Sequence, residues 1–222
     1  MAAVEKGRAG LREEIEALAP RAEDIRAKLD DPTWSLFEGT SFEALSREDW
    51  AVHARQETLW YEGRHTEALL ALLRLQKDET VYGFAVNNYG HSLQAATRAL
   101  RDGANEEQVV VALFHDIAQT LAPHNHGEAA AALLRPFVSA ESHWLIEHHP
   151  IFKRTHRINH PTSDRLERER YRGHPAFEAT ARFSECWDQP AFDPAYPTLP
   201  LEAFEPLVRR FFAHEPNVTD PT

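Results

Sequence analysis

A chain of 222 residues, 42% of them apolar and with Cys186 its one cysteine, is long enough for one domain with a sizeable core and cannot form an intrachain disulfide. Its formal charge of -11 disfavours nucleic acid and anionic membranes as partners, because both demand a net basic face. The opening MAAVEKGRAGLREEIEALAP lacks the apolar core of a signal peptide, and no stretch approaches the roughly 18 apolar residues of a membrane span, so a cytoplasmic protein is expected.

Helical periodicity runs nearly the whole length, with no alternating strand run of useful length. Residues 8–29 are charged, with Leu, Ile and Ala patterning that predicts a surface helix; residues 30–45 (DDPTWSLFEGTSFEAL) hold Pro, Gly and aromatics and predict a packed loop. Two helices follow near 46–61 and 64–76, the second carrying Leu69, Leu70, Leu72, Leu73 and Leu75. Residues 1–80 thus read as an N-terminal helical extension packed on a core domain of residues 81–222. In that domain a helix over 89–102 stops at Asp102-Gly103. Asn105 caps the next one, with Gln108 three residues on in the manner of a capping box. That helix, EEQVVVALFHDIAQTL, is apolar almost all round after its first turn, the pattern of a buried helix. Short helices near 126–137 and 140–149 precede a polar, Arg-rich connection, KRTHRINHPTSDRLERER. A helix over 174–187 ends at Trp187-Asp188, the prolines of QPAFDPAYPTLP forbid regular helix, and a last helix spans about 200–213. The expected fold is an all-α helical bundle.

Thirteen histidines are many for this length, and most of them fall between residues 91 and 160. Clustering of His with Asp is the sequence signature of a metal or proton-transfer site. The anchor is the dipeptide His115-Asp116, at the end of a helix that should lie in the protein centre. An unpaired buried carboxylate is costly, so Asp116 calls for a metal or a strong hydrogen-bond partner. Neighbouring helix residues diverge by about 100°, so both side chains reach one ion only near a helix end or by bridging two ions. His91 lies 24 residues upstream, across one helix and one turn, and Asp188 ends a late helix.

The order His91, His115-Asp116, Asp188 resembles the HD-domain superfamily of metal-dependent phosphohydrolases and oxygenases. His126 in HNHGEAAAALL and His149 in EHHPIFK fall where the dinuclear branch places two further ligands. The pieces YGFAVNNYGHSLQ, LFHDIA, HPIFK and CWDQPAFDP are similar to the mixed-valent diiron oxygenases, a group that includes myo-inositol oxygenase and a phosphonate-cleaving enzyme. The resemblance covers about residues 82–213 and implies an HD-domain bundle with two iron ions, in the Fe2+/Fe3+ state, and dioxygen as co-substrate. Carried over, His91, His115 and Asp188 hold one iron, His126 and His149 the other, and Asp116 bridges them. Four imidazoles with only two carboxylates suit iron better than hard ions such as magnesium. Two choices stay open: His148 competes with His149, which stands four residues before Lys153 as in the phosphonate-cleaving pattern, and His124 competes with His126, whose spacing to Leu134 and Phe137 fits the family helix. Asp193, in the Pro-rich segment, is a weaker competitor of Asp188.

Around these ligands the resemblance makes Lys153 the substrate-binding cation and Tyr82 the occupant of an open iron position, although Phe84 and Ala85 stand where an acidic partner of that tyrosine is expected. Gln119, one turn after His115, is placed to bind substrate or orient a ligand, and Cys186 reads as a small buried residue. Glu185, one helical turn before Asp188, replaces an arginine expected for phosphonate; a carboxylate aimed into the pocket predicts a neutral or amine-bearing small hydroxylated substrate unless it pairs with Arg182. Two other functions compete with the oxygenase. A phosphohydrolase needs only His91, His115, Asp116 and Asp188, leaving His126 and His149 spare, and a non-catalytic metal scaffold needs a saturated ion.

Overall fold

The computed structural model describes residues 36–61, 64–81 and 83–213, and these form eight α-helices and no strand. The helix expected over 8–29 and Tyr82 lie outside the described residues. None of the described helices is long and apolar enough to cross a membrane. The chain divides into two compact units, Met1–Tyr61 and Glu62–Thr222.

Helix α1 (Arg47–Tyr61) belongs to the first unit. Ser46 starts it, because the Asp49 backbone N–H donates to Ser46 Oγ at 3.1 Å while the Ser46 N–H donates back to the Asp49 carboxylate at 2.9 Å. Its Trp50 and His53 rings contact each other and those of Phe42 and Phe37, with centroids 5.5–6.3 Å apart.

The second unit starts at Glu62 and not at residue 81, so helix α2 (Arg64–Leu75) is part of the core domain. The reason lies in its apolar face: Leu69, Leu70 and Leu73 are buried in the same cluster as the central helix. Helix α3 (Asn88–Arg101) is capped by Asn87, whose side chain accepts from the Gly90 N–H at 3.0 Å. It stops where expected. Gly103 adopts φ +77°, the Ala104 N–H reaches back to Ala99 O at 3.0 Å, and the Gly103 N–H reaches Leu100 O at 3.2 Å. Helix α4 (Glu106–Phe114) begins with the expected capping box, Asn105 and Gln108 each accepting the other's backbone N–H. Every residue from Val109 to Phe114 is buried, so α4 is the axis of the domain. Three consecutive valines are poor helix formers, and packing on all sides keeps them helical.

Helices α5 (His126–Leu134) and α6 (Ala140–Lys153) lie against each other, followed by α7 (Phe177–Phe183) and α8 (Leu201–Phe211). Leu201, Phe204, Val208 and Phe212 form the buried stripe of α8, each worth about 1.5–3 kcal/mol on full burial. Arg209 and Arg210 pair across the surface with Glu67 and Glu106, contacts of small worth because they are exposed.

Three helices depart from regular geometry, and each departure adjoins a residue singled out in the sequence. The apolar pattern predicts that α4 continues to 121, but after Phe114 the chain tightens into turns with Ile117 N–H on Phe114 O and Gln119 N–H on Asp116 O, both at 3.0 Å. Helix α6 runs through Pro150 to Lys153. Beyond α7, residues Ser184–Asp188 form a single wide π-type turn, closed by the Gln189 N–H on Ser184 O at 2.9 Å.

Helices α5 and α6 approach each other closely at Gly127. A Cβ there would sit 2.8 Å from Glu147 O, 3.0 Å from Pro150 Cγ and 3.1 Å from Ile146 O. Gly127→Ala is therefore expected to destabilise the domain by about 1–3 kcal/mol through overpacking, measured as a lowered midpoint of urea unfolding. A raised midpoint, which the better helix propensity of Ala alone would give, would refute the close approach.

Candidate metal centre

The six ligands anticipated from sequence converge on one point. His91 comes from the first turn of α3, His115 and Asp116 from the tightened turn after α4, His126 from the start of α5, His149 from α6 and Asp188 from the end of the π-type turn. His91, His115, His149 and Asp188 are fully buried and Asp116 is 4% exposed.

Each ring is oriented by its Nδ1. That atom lies against a backbone carbonyl in all four: Ala191 O at 3.1 Å for His91, Ala112 O at 2.9 Å for His115, Pro123 O at 3.4 Å for His126 and Ile146 O at 2.6 Å for His149. A carbonyl oxygen only accepts, so Nδ1 carries the hydrogen and the neutral ring leaves its lone pair on Nε2. Those lone pairs meet in the centre. His91 Nε2 and His115 Nε2 are 3.2 Å apart, and they lie 3.2 and 3.7 Å from Asp188 Oδ1. They also lie 3.5 and 3.4 Å from Asp116 Oδ2, while Asp116 Oδ1 faces His126 Nε2 at 3.3 Å and His149 Nε2 at 3.1 Å.

The donor set fits metal ions. Two atoms bound at about 2.1 Å to one ion and roughly 90–110° apart lie about 3.0–3.5 Å from each other, which is the spacing found here. Asp188 is completely buried, and the Lys153 ammonium lies 2.6 Å from its Oδ1; its oxygens otherwise face imidazole Nε2 atoms without a well-angled hydrogen bond. Two buried carboxylates beside facing imidazole lone pairs and one ammonium leave negative charge that a metal cation between the ligand atoms would balance. The groups His91–His115–Asp188 and His115–Asp116–His149 each bring their ligand atoms within 4.8 Å of one another.

Positive charge is what the site demands even from its own side chains. Burial pushes the His115 imidazole down, but the Asp116 and Asp188 carboxylates outweigh it and carry it up to about 10. Burial opposes ionisation of both carboxyls, yet His115 and Lys153 hold Asp116, and Lys153 and His115 hold Asp188, well below the ordinary carboxylate range. Burial lowers His91, reinforced by Lys153, and burial also lowers His126.

Among the competing residues, His148 turns away from the centre. It stacks on Trp144 with centroids 4.1 Å apart, its Nδ1 3.0 Å from Trp144 O. His124 and Asp193 are exposed. Lys153 reaches the centre, with Nζ 2.6 Å from Asp188 Oδ1 and 5.3 Å over the Phe192 ring. Gln119 is half-buried on the turn after Asp116, and its side chain makes no hydrogen bond to the six ligands. Glu185 and Cys186 are both exposed, against expectation. The wide turn is the cause: it rotates Asp188 inward with Ser184 and Trp187 and leaves Glu185 and Cys186 outside. Arg182 does not neutralise Glu185 but pairs with Asp102 at 2.6 Å, which also accepts from Trp187 Nε1 at 3.1 Å.

Sequence reasoning missed Gln76 and Asn88. Gln76, fully buried at the end of α2, donates from Nε2 to Asp116 O at 3.2 Å and Ile117 O at 3.1 Å. Asn88 Nδ2 donates to Gln76 Oε1 at 3.1 Å and Asp116 O at 3.2 Å. These amides hold the tightened turn that presents His115 and Asp116 together. A polar Gln following the leucines of α2 was the available signal. Phe192 stacks on His91 at 4.3 Å and Phe84 on Phe192 at 4.3 Å, closing one flank of the centre. A cavity of about 120 Å³, bordered by Gln108, Leu145, Arg182 and Trp187, touches none of the six ligands.

No protein-family model matches the chain, and no curated protein matches it. The assignment of the centre therefore stands on its geometry.

Two outcomes test it. Asp116→Ala is expected to abolish binding of both ions, His149→Ala to leave about one per chain, and His148→Ala to change nothing, by elemental analysis of folded protein; equal content in the first two would refute the bridge. The second concerns protons. His115, raised from its ordinary 6.5 to about 10 when no ion is bound, must shed its proton to ligate, so metal binding at pH 8 should release about one proton per chain. The charged His115 pair stabilises the chelator-treated protein fully below pH 6.5, and that contribution is lost as pH rises through about 10. Asp116 and Asp188 contribute above their ordinary 3.8 and lose it only as pH falls below that value, so they do not compensate. The chelator-treated protein should thus melt progressively lower from pH 7 to 10; a flat profile without proton release would count against a charged His115.

Proposed function

We propose that this chain is an HD-type diiron oxygenase that uses dioxygen to oxidise or cleave a small hydroxylated substrate. The observation that carries the reading is the division of Asp116, with Oδ2 at 3.4–3.5 Å from His91 and His115 and Oδ1 at 3.1–3.3 Å from His126 and His149. One carboxylate shared between two imidazole pairs is the arrangement of a bridged dinuclear site. A mononuclear centre would have no use for the second pair.

His91, His115 and Asp188 would hold one iron, His126 and His149 the other. Six side chains shared by two ions leave coordination positions open, and four imidazoles with two carboxylates favour iron over magnesium. Bound there, a mixed-valent iron pair would supply electrons to dioxygen and a Lewis-acidic position for a substrate oxygen. The chain's own residues set the approach. His126 and Lys153 have side chains 19% and 21% exposed, whereas the other ligand side chains are at most 6% exposed. Substrate thus arrives on the side of His126 and Lys153, and the Lys153 ammonium meets its polar end. Phe192, stacked on His91 with Phe84 beyond it, covers His91 and also lies under the Lys153 ammonium. Glu185, being exposed, does not by its position exclude an anionic substrate.

The alternative is a phosphohydrolase, for which the complete cluster His91, His115, Asp116 and Asp188 suffices. Elemental analysis of aerobically prepared protein is expected to give about two irons per chain, with a mixed-valent signal in low-temperature electron paramagnetic resonance. Oxygen uptake is expected with at least one class in a panel of polyols, amino alcohols and 1-hydroxyphosphonates. One metal per chain, mainly magnesium or manganese, together with phosphate-ester hydrolysis and no oxygen uptake, would replace the oxygenase by the hydrolase.

A further inference from the structure

Three of the four imidazoles are oriented by their own stretch of chain. His115, His126 and His149 each direct Nδ1 to the carbonyl three residues earlier, on Ala112, Pro123 and Ile146. Inside an α-helix that carbonyl is ordinarily occupied by the backbone N–H four residues on. For His115 the α-pattern ends at Phe114, and His126 is the first residue of its helix, so neither ring competes with a helix interior. His149 is different: it stands well inside α6, which runs from Ala140 to Lys153. The residue four beyond Ile146 is Pro150, which has no N–H.

We infer that Pro150 is a positioning residue of the metal centre: by withholding a backbone N–H from Ile146 O it leaves that carbonyl to His149 Nδ1, and so fixes the tautomer that turns Nε2 to Asp116. The geometry agrees in three respects. The His149 Nδ1–Ile146 O contact is short, 2.6 Å, in a fully buried setting, while His149 Nε2 lies 3.1 Å from Asp116 Oδ1. A proline ring also crowds the carbonyl four residues back. Gly127 packs against this stretch, where even a Cβ would fall 3.1 Å from Ile146 O and 3.0 Å from Pro150 Cγ. Gly127 follows His126 directly, so the same close contact seats the partner imidazole, its ring centroid 5.3 Å from that of His149. The neighbouring His148 is the contrast within the same helix: its Nδ1 lies near Trp144 O, four residues back, and its ring stacks outward on Trp144.

The consequence for a Pro150→Ala variant is opposite in sign for helix and site. The substitution restores an N–H that competes for Ile146 O, which favours the helix, and it removes the condition that leaves this carbonyl to His149. This inference rests on the dinuclear reading, and two measurements separate them. Nitrogen-15 correlation spectra of histidine rings in the chelator-treated protein at pH 8 report the tautomer without any metal. The unmodified chain should show His149 with its hydrogen on Nδ1, and Pro150→Ala should move population to Nε2–H. Cobalt(II) titration then reads the two ions separately. Pro150→Ala should weaken the second ion about 10–100-fold, the usual effect of losing a partner that orients a ligand, and leave the first unchanged, with the thermal midpoint of the ion-free protein not lowered. Should the variant fold poorly, Pro150→Ser, which also restores the N–H, is expected to give the same tautomer change. An unaltered tautomer, or equal weakening of both ions in step with lost stability, would overturn the inference. If the unmodified protein bound only one cobalt, the dinuclear reading would fail while the tautomer result still decided the part played by Pro150.

Discussion

Four imidazoles have given their Nδ1 hydrogens to backbone carbonyls, and this leaves their Nε2 lone pairs facing two carboxylates in a closed interior. So many electron pairs at 3.1–3.7 Å would repel one another strongly where water cannot intervene. The arrangement is sound only with positive charge at its middle. In the chain itself that charge is a proton on His115 and the Lys153 ammonium; metal ions held by these ligand atoms would meet the same demand.

The irregular backbone of this domain follows from that demand. A continuous α-helix through His115 and Asp116 would send their side chains about 100° apart. The chain therefore tightens after Phe114, and the turn so made is held from outside by the amides of Gln76 and Asn88. A regular end to α7 would have turned Glu185 and Asp188 to the same side, and the wide turn parts them. At the first turn the carbonyls of Asp116 and Ile117 are taken by the side-chain amides of Gln76 and Asn88, whereas the wide turn closes on its own backbone through the Gln189 N–H on Ser184 O.

Access follows from the packing. The side chains of His91 on α3, His149 on α6 and His115 and Asp116 on the turn after α4 are buried, with Phe192 and Phe84 stacked over His91, while His126, at the first turn of its helix, is the most exposed of the six. Lys153, at the end of α6, is the one ammonium in contact with the ligand set among the described residues.

Much of this molecule was legible as periodicity. The near-continuous apolar stretch of VVVALF marked α4 as central, Asn105 with Gln108 and Asp102-Gly103 marked their helix ends, and the spacing from His91 to Asp188 marked six residues that the fold does bring together. These signals are local or carried by residue type, and one sequence suffices to read them. The domain boundary, the exposure of Glu185 and Cys186 and the part played by Gln76 were not legible, because each depends on what another stretch of chain places alongside. Neither was the choice between adjacent histidines open to composition: His148 and His149 differ in nothing but the side of α6 they occupy. The sequence by itself determined an all-helical chain and the set of residues able to bind metal. Tertiary structure alone decided which nitrogen of each imidazole faces inward and that Asp116 divides its oxygens between two pairs, since both depend on carbonyls and amides that the fold brings alongside.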